Sequence, residues 1–168
     1  MKPFLEKQTL MKGPLKILHL LFGGLLLLLF YADLSQIVTG IPFGEKPASN
    51  IQLIGITTLI AIIYILFYKS ALITYIDQEG VKFKWVPYHR NYTLIKWSEI
   101  KEHIIIDNHS TKTGYSKINN RTVNGVWGKT ALRLLLNDGR EFLIGTQKGS
   151  EMEGCLKNSN IQQKISII

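Results

Sequence analysis

Residues 17–32, ILHLLFGGLLLLLFYA, and residues 51–68, IQLIGITTLIAIIYILFY, decide the fold. Neither run carries a formal charge at neutral pH. At a helical rise of ~1.5 Å per residue the first covers about 24 Å and the second about 27 Å, close to the roughly 30 Å hydrocarbon core of a bilayer. Lys16 can snorkel at one end of the first run, and Leu34, Ile37 and Val38 extend its apolar side past Asp33. Gln52, Thr57 and Thr58 are the strongly polar positions of the second run, and Lys69 closes it. A helix that is apolar all round needs lipid or a large core. The hundred residues after Lys69 are too few to bury two of them. The reading is a transmembrane hairpin in residues 1–69, with spans at about 15–37 and 51–69.

Composition agrees. The chain has 168 residues, 46% of them hydrophobic and 19% charged, which excludes a disordered chain. Its single cysteine excludes an internal disulfide framework and suits a reducing compartment. The basic start and apolar centre of the first run also fit a secretory signal, but Phe30-Tyr31-Ala32 puts bulky residues where a small-x-small cleavage site belongs. Residues 1–32 carry four lysines and one glutamate, residues 33–50 have net charge −1, and residues 69–168 have net charge +6. The positive-inside rule then sets both termini and the C-terminal part in the cytoplasm, at an inner (cytoplasmic) membrane, with residues 33–50 outside.

After Lys69 the pattern becomes short alternating stretches. LITYID (72–77), a Gln78-Glu79-Gly80 turn and VKFKWV (81–86) read as a hairpin. YTLIKW (92–97) and IKEHIII (100–106) follow as strands. Residues 107–126 are polar, with a strand expected near 115–118. TALRLLL (130–136) and REFLIG (140–145) flank Asn137-Asp138-Gly139, a strong hairpin signal in which both central positions would take positive φ. Ser150 and Glu153 match a capping box, and Met152, Cys155 and Leu156 give the following helix one apolar face. The expected fold class is a membrane-anchored α+β protein: a transmembrane hairpin, then an antiparallel β-barrel or sandwich with a C-terminal helix over residues 70–160, then a tail, 161–168.

GVKFKW (80–85), followed by Ile95-Lys96-Trp97-Ser98-Glu99-Ile100, resembles the first part of small bacterial membrane proteins with a pleckstrin-homology-like (PH-like) domain. Leu136-Asn137-Asp138-Gly139-Arg140, leading into Leu143-Ile144-Gly145-Thr146-Gln147-Lys148, resembles their closing hairpin and the start of their last helix. The likeness covers about residues 70–160, and two N-terminal spans are also similar to the family's arrangement. It implies a PH-like fold and a membrane-attached scaffolding or assembly role, and names no reaction. The chain departs from the family in the middle segment, where a Gly-Trp-Gly-like element is usual; here residues 114–118 read GYSKI and Trp127 stands in GVWGK.

The residues point to no catalyst. His89, His103 and His109 lack metal-ligand spacing, no Gly-x-Ser-x-Gly element is present, and the carboxylates fall at turns or on polar strand faces. We expect no enzyme activity, cofactor or metal. His19 lies in the first span near its cytoplasmic end, and an ionisable residue in a membrane helix is a functional candidate by default. Lys and Arg are dispersed, so no nucleic-acid partner is expected. The lipid bilayer is the first partner, and a protein partner or self-association the second. Trp85 and Trp97 sit on apolar strand faces and read as core. Trp127, between Gly125 and Gly128, and Tyr115 are the candidate interaction residues. Binding of a lipid or small ligand, and a place as accessory subunit of a membrane complex, are the alternative roles.

Overall fold

The structure, a computed structural model, describes residues 3–10, 15–107, 114–126 and 128–157. The chain forms two compact units, one of residues 10–69 and the other of residues 1–9 with 70–168.

The first unit is a helical hairpin, α1 (Leu15–Thr39) and α2 (Asn50–Lys69). Its turn is fixed by one side chain: Gln36 Nε2 donates to Ala48 O (2.9 Å) and Asn50 Oδ1 (2.7 Å), while Gln36 Oε1 accepts from Phe43 N–H (3.0 Å). Gly40 and Gly44 take φ of 69° and 90° within that turn, a backbone that other residues rarely adopt. Ser49 and Gln52 start α2 with a capping box: Gln52 Oε1 accepts from Ser49 N–H (3.0 Å), and Ser49 Oγ from Gln52 N–H (3.4 Å).

The second unit holds two sheets and a helix. The first sheet runs in the order β1-β2-β3-β4, from β1 (Phe4–Thr9), β2 (Ala71–Ile76), β3 (Gly80–Val86) and β4 (Thr93–Lys96), with neighbours antiparallel. Gly80 is needed there because a Cβ would stand 2.1 Å from Ile95 O of β4; close approach, and not positive φ, requires it. The second sheet runs β5-β8-β9-β7-β6, from β5 (Ile100–Asp107), β6 (Gly114–Ile118), β7 (Arg121–Gly125), β8 (Thr130–Leu136) and β9 (Glu141–Thr146). The sheets meet through Phe83 and Phe142, ring centroids 6.1 Å apart, and through Trp85 Nε1, which donates to Asn124 Oδ1 (3.0 Å). The short helix α3 (Gly149–Lys157) buries Met152, Cys155 and Leu156, the expected face.

Five expectations are corrected. Residues 1–69 are not all hairpin, because Phe4–Thr9 belongs to the sheet unit; Phe4, Glu6 and Gln8 point inward, so the buried face of β1 lacks the apolar alternation that marks a strand. The sheets are not purely antiparallel, since β7 pairs parallel with β9, and they do not close into a barrel. In the Asn137–Gly139 turn only Gly139 takes positive φ (83°), and Gly139 N–H donates to Leu136 O (3.1 Å), as in a three-residue loop. Helix α3 begins at Gly149, so Ser150 lies inside it; Thr146 Oγ1 instead accepts from Lys148 N–H (3.0 Å) just ahead of the helix. Of the two tryptophans read as core, Trp85 is buried, while Trp97 is half-buried and donates through Nε1 to Asp77 O (2.9 Å). The tail 161–168 and residues 108–113 lie outside the described residues.

Candidate functional site

The hairpin is apolar outside and polar inside. Twelve large apolar side chains of α1 and nine of α2 are exposed. The buried residues of α1 are His19, Ala32, Asp33 and Gln36, and α2 buries none. A core helix of a water-soluble protein has the opposite distribution. Leaving that many side chains in water forgoes burial worth on the order of 40 kcal/mol, well beyond the roughly 5–15 kcal/mol of a whole domain's stability. Both helices are long and apolar enough to cross a membrane.

Two ionisable side chains lie in this hairpin interior. His19 packs against Phe67, Tyr64 and Tyr68, with ring centroids at 5.2, 5.8 and 6.0 Å, and neither ring nitrogen has a hydrogen-bond partner. Asp33 is buried near the turn, and its Oδ1 is also unpartnered. Between these levels Gly23, Leu26, Leu27, Phe30, Thr57 and Ala61 line an open groove of about 480 Å³. Its walls are apolar apart from the Thr57 hydroxyl, which is used internally by donating to Leu53 O (3.0 Å).

The sheet unit has a polar clamp that the sequence reading missed. Glu6 of β1 is buried; its carboxylate accepts from Thr146 Oγ1 (2.6 Å) and from Gln147 N–H (2.9 Å). Gln8 Nε2 donates to Gly145 O (2.5 Å). These bonds tie the first strand to the end of the last one. Close by in register, Thr74 stands opposite Glu6, and its hydroxyl lacks a partner, as do Gln8 Oε1 and Asn124 Nδ2. The only signal for this clamp in the sequence is negative: two polar residues spaced by two on a strand-length stretch.

Tyr115 is 58% exposed on β6, the edge strand of the second sheet, so it is available for contact. Trp127 lies outside the described residues. Tyr115 and His19 belong to different units. No group of three or more metal-ligating side chains occurs among the described residues. Burial pushes the Cys155 thiol up, which makes it a poor nucleophile. Burial lowers His103, and the nearby Glu102 charge offsets part of that. Lys82 is held well above its ordinary value by hydrogen bonds to Asp77 (2.8 Å) and Glu79 (2.6 Å), as suits a fixed surface charge.

Comparison with models of known protein families, with curated proteins and with solved structures returned no match.

Proposed function

We propose that the chain is a membrane-anchored, non-catalytic interaction module, with its hairpin in the inner membrane and a PH-like sheet unit in the cytoplasm. The observation that carries the reading is the hairpin's inverted distribution, with leucine and isoleucine outward and His19, Asp33 and Gln36 inward. Polar groups facing the helix–helix interior and apolar groups facing out is the pattern of membrane helices. The pairing of β1 with β2 fixes the parity of the anchor. These strands flank the hairpin in the chain, so any crossing between them must be even in number. The charge of +6 over residues 69–168 favours the cytoplasmic side.

The PH-like reading is supported by the order of elements: a four-stranded sheet, a second sheet facing it, and a closing helix. The β6–β7 hairpin is then an insertion, and it presents Tyr115 on an edge strand. An edge strand offers unpaired backbone groups to another strand, from a protein partner or a second copy of this chain. We assign no cofactor, no metal and no nucleic-acid ligand.

A photo-crosslinking residue placed at Tyr115, and a control at exposed Lys101, test the reading in intact membranes. A discrete adduct from position 115 that the control lacks supports an interaction surface at the β6 edge. Equal, diffuse labelling from both positions removes it.

A further inference from the structure

We propose that the β3–β4 loop, residues 87–92, is a second point of attachment to the bilayer, taking anionic phospholipid head groups. The inference rests on the membrane-anchored reading and adds to it a lipid class and a named surface.

Its position follows from register. Thr9 of β1 pairs with Ala71 of β2, and Ala71 pairs with Val86 of β3. The chain leaves β1 toward α1 after Thr9, and a single residue, Ser70, separates α2 from β2. The loop that follows Val86 therefore leaves the sheet at the end where the hairpin joins it. Ser70 and Tyr88 are in direct contact: Ser70 Oγ donates to Tyr88 Oη at 2.9 Å. That bond holds the loop beside the point where the chain comes out of its second span.

Its chemistry fits a head-group layer. The loop reads Pro87-Tyr88-His89-Arg90-Asn91-Tyr92, and all six residues are exposed, Tyr88 by 60% and Tyr92 by 43%. Tyrosine favours the membrane interface, where its ring is in an apolar layer and its hydroxyl in a wet one. Lys84 and Arg90 are the cations of residues 83–93, which hold no carboxylate. Lys84 Nζ lies 4.3 Å from the Tyr92 ring centroid, which gathers a cation and an aromatic ring at this end of the sheet. The carboxylates of Asp77 and Glu79 sit in the β2–β3 turn at the other end of the strands, where they neutralise Lys82. A strand of this length separates the two ends by about 20 Å. The two ends of the first sheet thus differ: Lys84 and Arg90, with the exposed Tyr88 and Tyr92, stand without a carboxylate toward the hairpin junction, whereas at the other end Asp77 and Glu79 are balanced by Lys82 and by Lys96, which pairs with Gly80. An anionic surface attracts the end with unbalanced cations more than the end whose charges cancel.

The test uses the full chain with Cys155→Ser, carrying an environment-sensitive fluorophore on His89→Cys or, as the far-end control, on Gln78→Cys. Each is reconstituted in phosphatidylcholine vesicles, and in equimolar phosphatidylcholine and phosphatidylglycerol, both with head-group nitroxide lipids as quencher. Quenching several-fold stronger at position 89 than at position 78 in the mixed vesicles, and reduced by Arg90→Glu with Tyr88→Ser, is the expected result. Equal quenching at the two positions, in protein that floats with the vesicles, overturns the loop contact and leaves the anchor standing. Protein that does not float with the vesicles overturns the anchor and the loop together. Quenching at 89 that is the same in both lipids overturns the assignment to anionic head groups.

Discussion

Thr9 and Ala71 are register partners in adjacent antiparallel strands, although the whole α1–α2 hairpin lies between them in the chain. The hairpin is thus an insertion into a β-sheet, and not an anchor placed ahead of one. Strand β1 is held to the rest of its unit by more than β2. Its inward side chains reach β9 through Glu6 and Gln8, so the residues before the first helix complete the sheet unit.

Glu6→Ala tests that clamp. The substitution leaves the Thr146 hydroxyl and the Gln147 N–H without their acceptor, at a cost of roughly 1–3 kcal/mol. Urea unfolding of the detergent-solubilised full chain should show a lower midpoint with an unchanged slope. An unchanged midpoint would mean that β1 adds nothing to the sheet unit.

His19→Phe probes the hairpin interior. The histidine brings two unpartnered nitrogens into an aromatic cluster with Phe67, Tyr64 and Tyr68. Replacing it by an apolar ring removes a buried polar cost and should leave the hairpin as stable or up to about 2 kcal/mol more so. Thermal unfolding in detergent reads the change. A marked loss of stability would show that the imidazole is satisfied by a group from outside the hairpin.

How much of this was legible in the sequence depends on which residues spoke through hydrophobic pattern. The two helices, strands β2 to β5, β8 and β9, and the buried face of α3 follow from apolar runs and alternation. Strand β1 does not, because Glu6 and Gln8 occupy core-facing positions and their partners lie at the far end of the chain. Strand β7 (RTVNG) is equally polar, and it is recruited by a parallel pairing with β9 that no local pattern encodes. Tyr115 could be singled out as a surface aromatic. The Ser70–Tyr88 bond and the unlike ends of the first sheet needed the register.

His103 sets a pH dependence. Burial holds its pKa below the ordinary 6.5, with the Glu102 charge opposing. The unfolded chain therefore takes up this proton before the folded one does, and stability is full above the unfolded value. It is lost progressively as pH falls from about 6.5 toward the folded pKa. A histidine-resonance titration should place His103 below 6.5. His103→Gln should flatten the unfolding midpoint between about pH 7 and 5. A midpoint for His103 at or above the ordinary value would contradict this.

Site-specific labelling tests the topology most directly. Exposed Lys7, Lys46 and Lys101 are replaced one at a time by cysteine in the full chain, and intact spheroplasts are treated with a membrane-impermeant maleimide. The predicted result is labelling at position 46 alone, with positions 7 and 101 labelled only after permeabilisation. Labelling of 7 or 101 from outside, or release of the full chain by alkaline wash without detergent, would contradict the account.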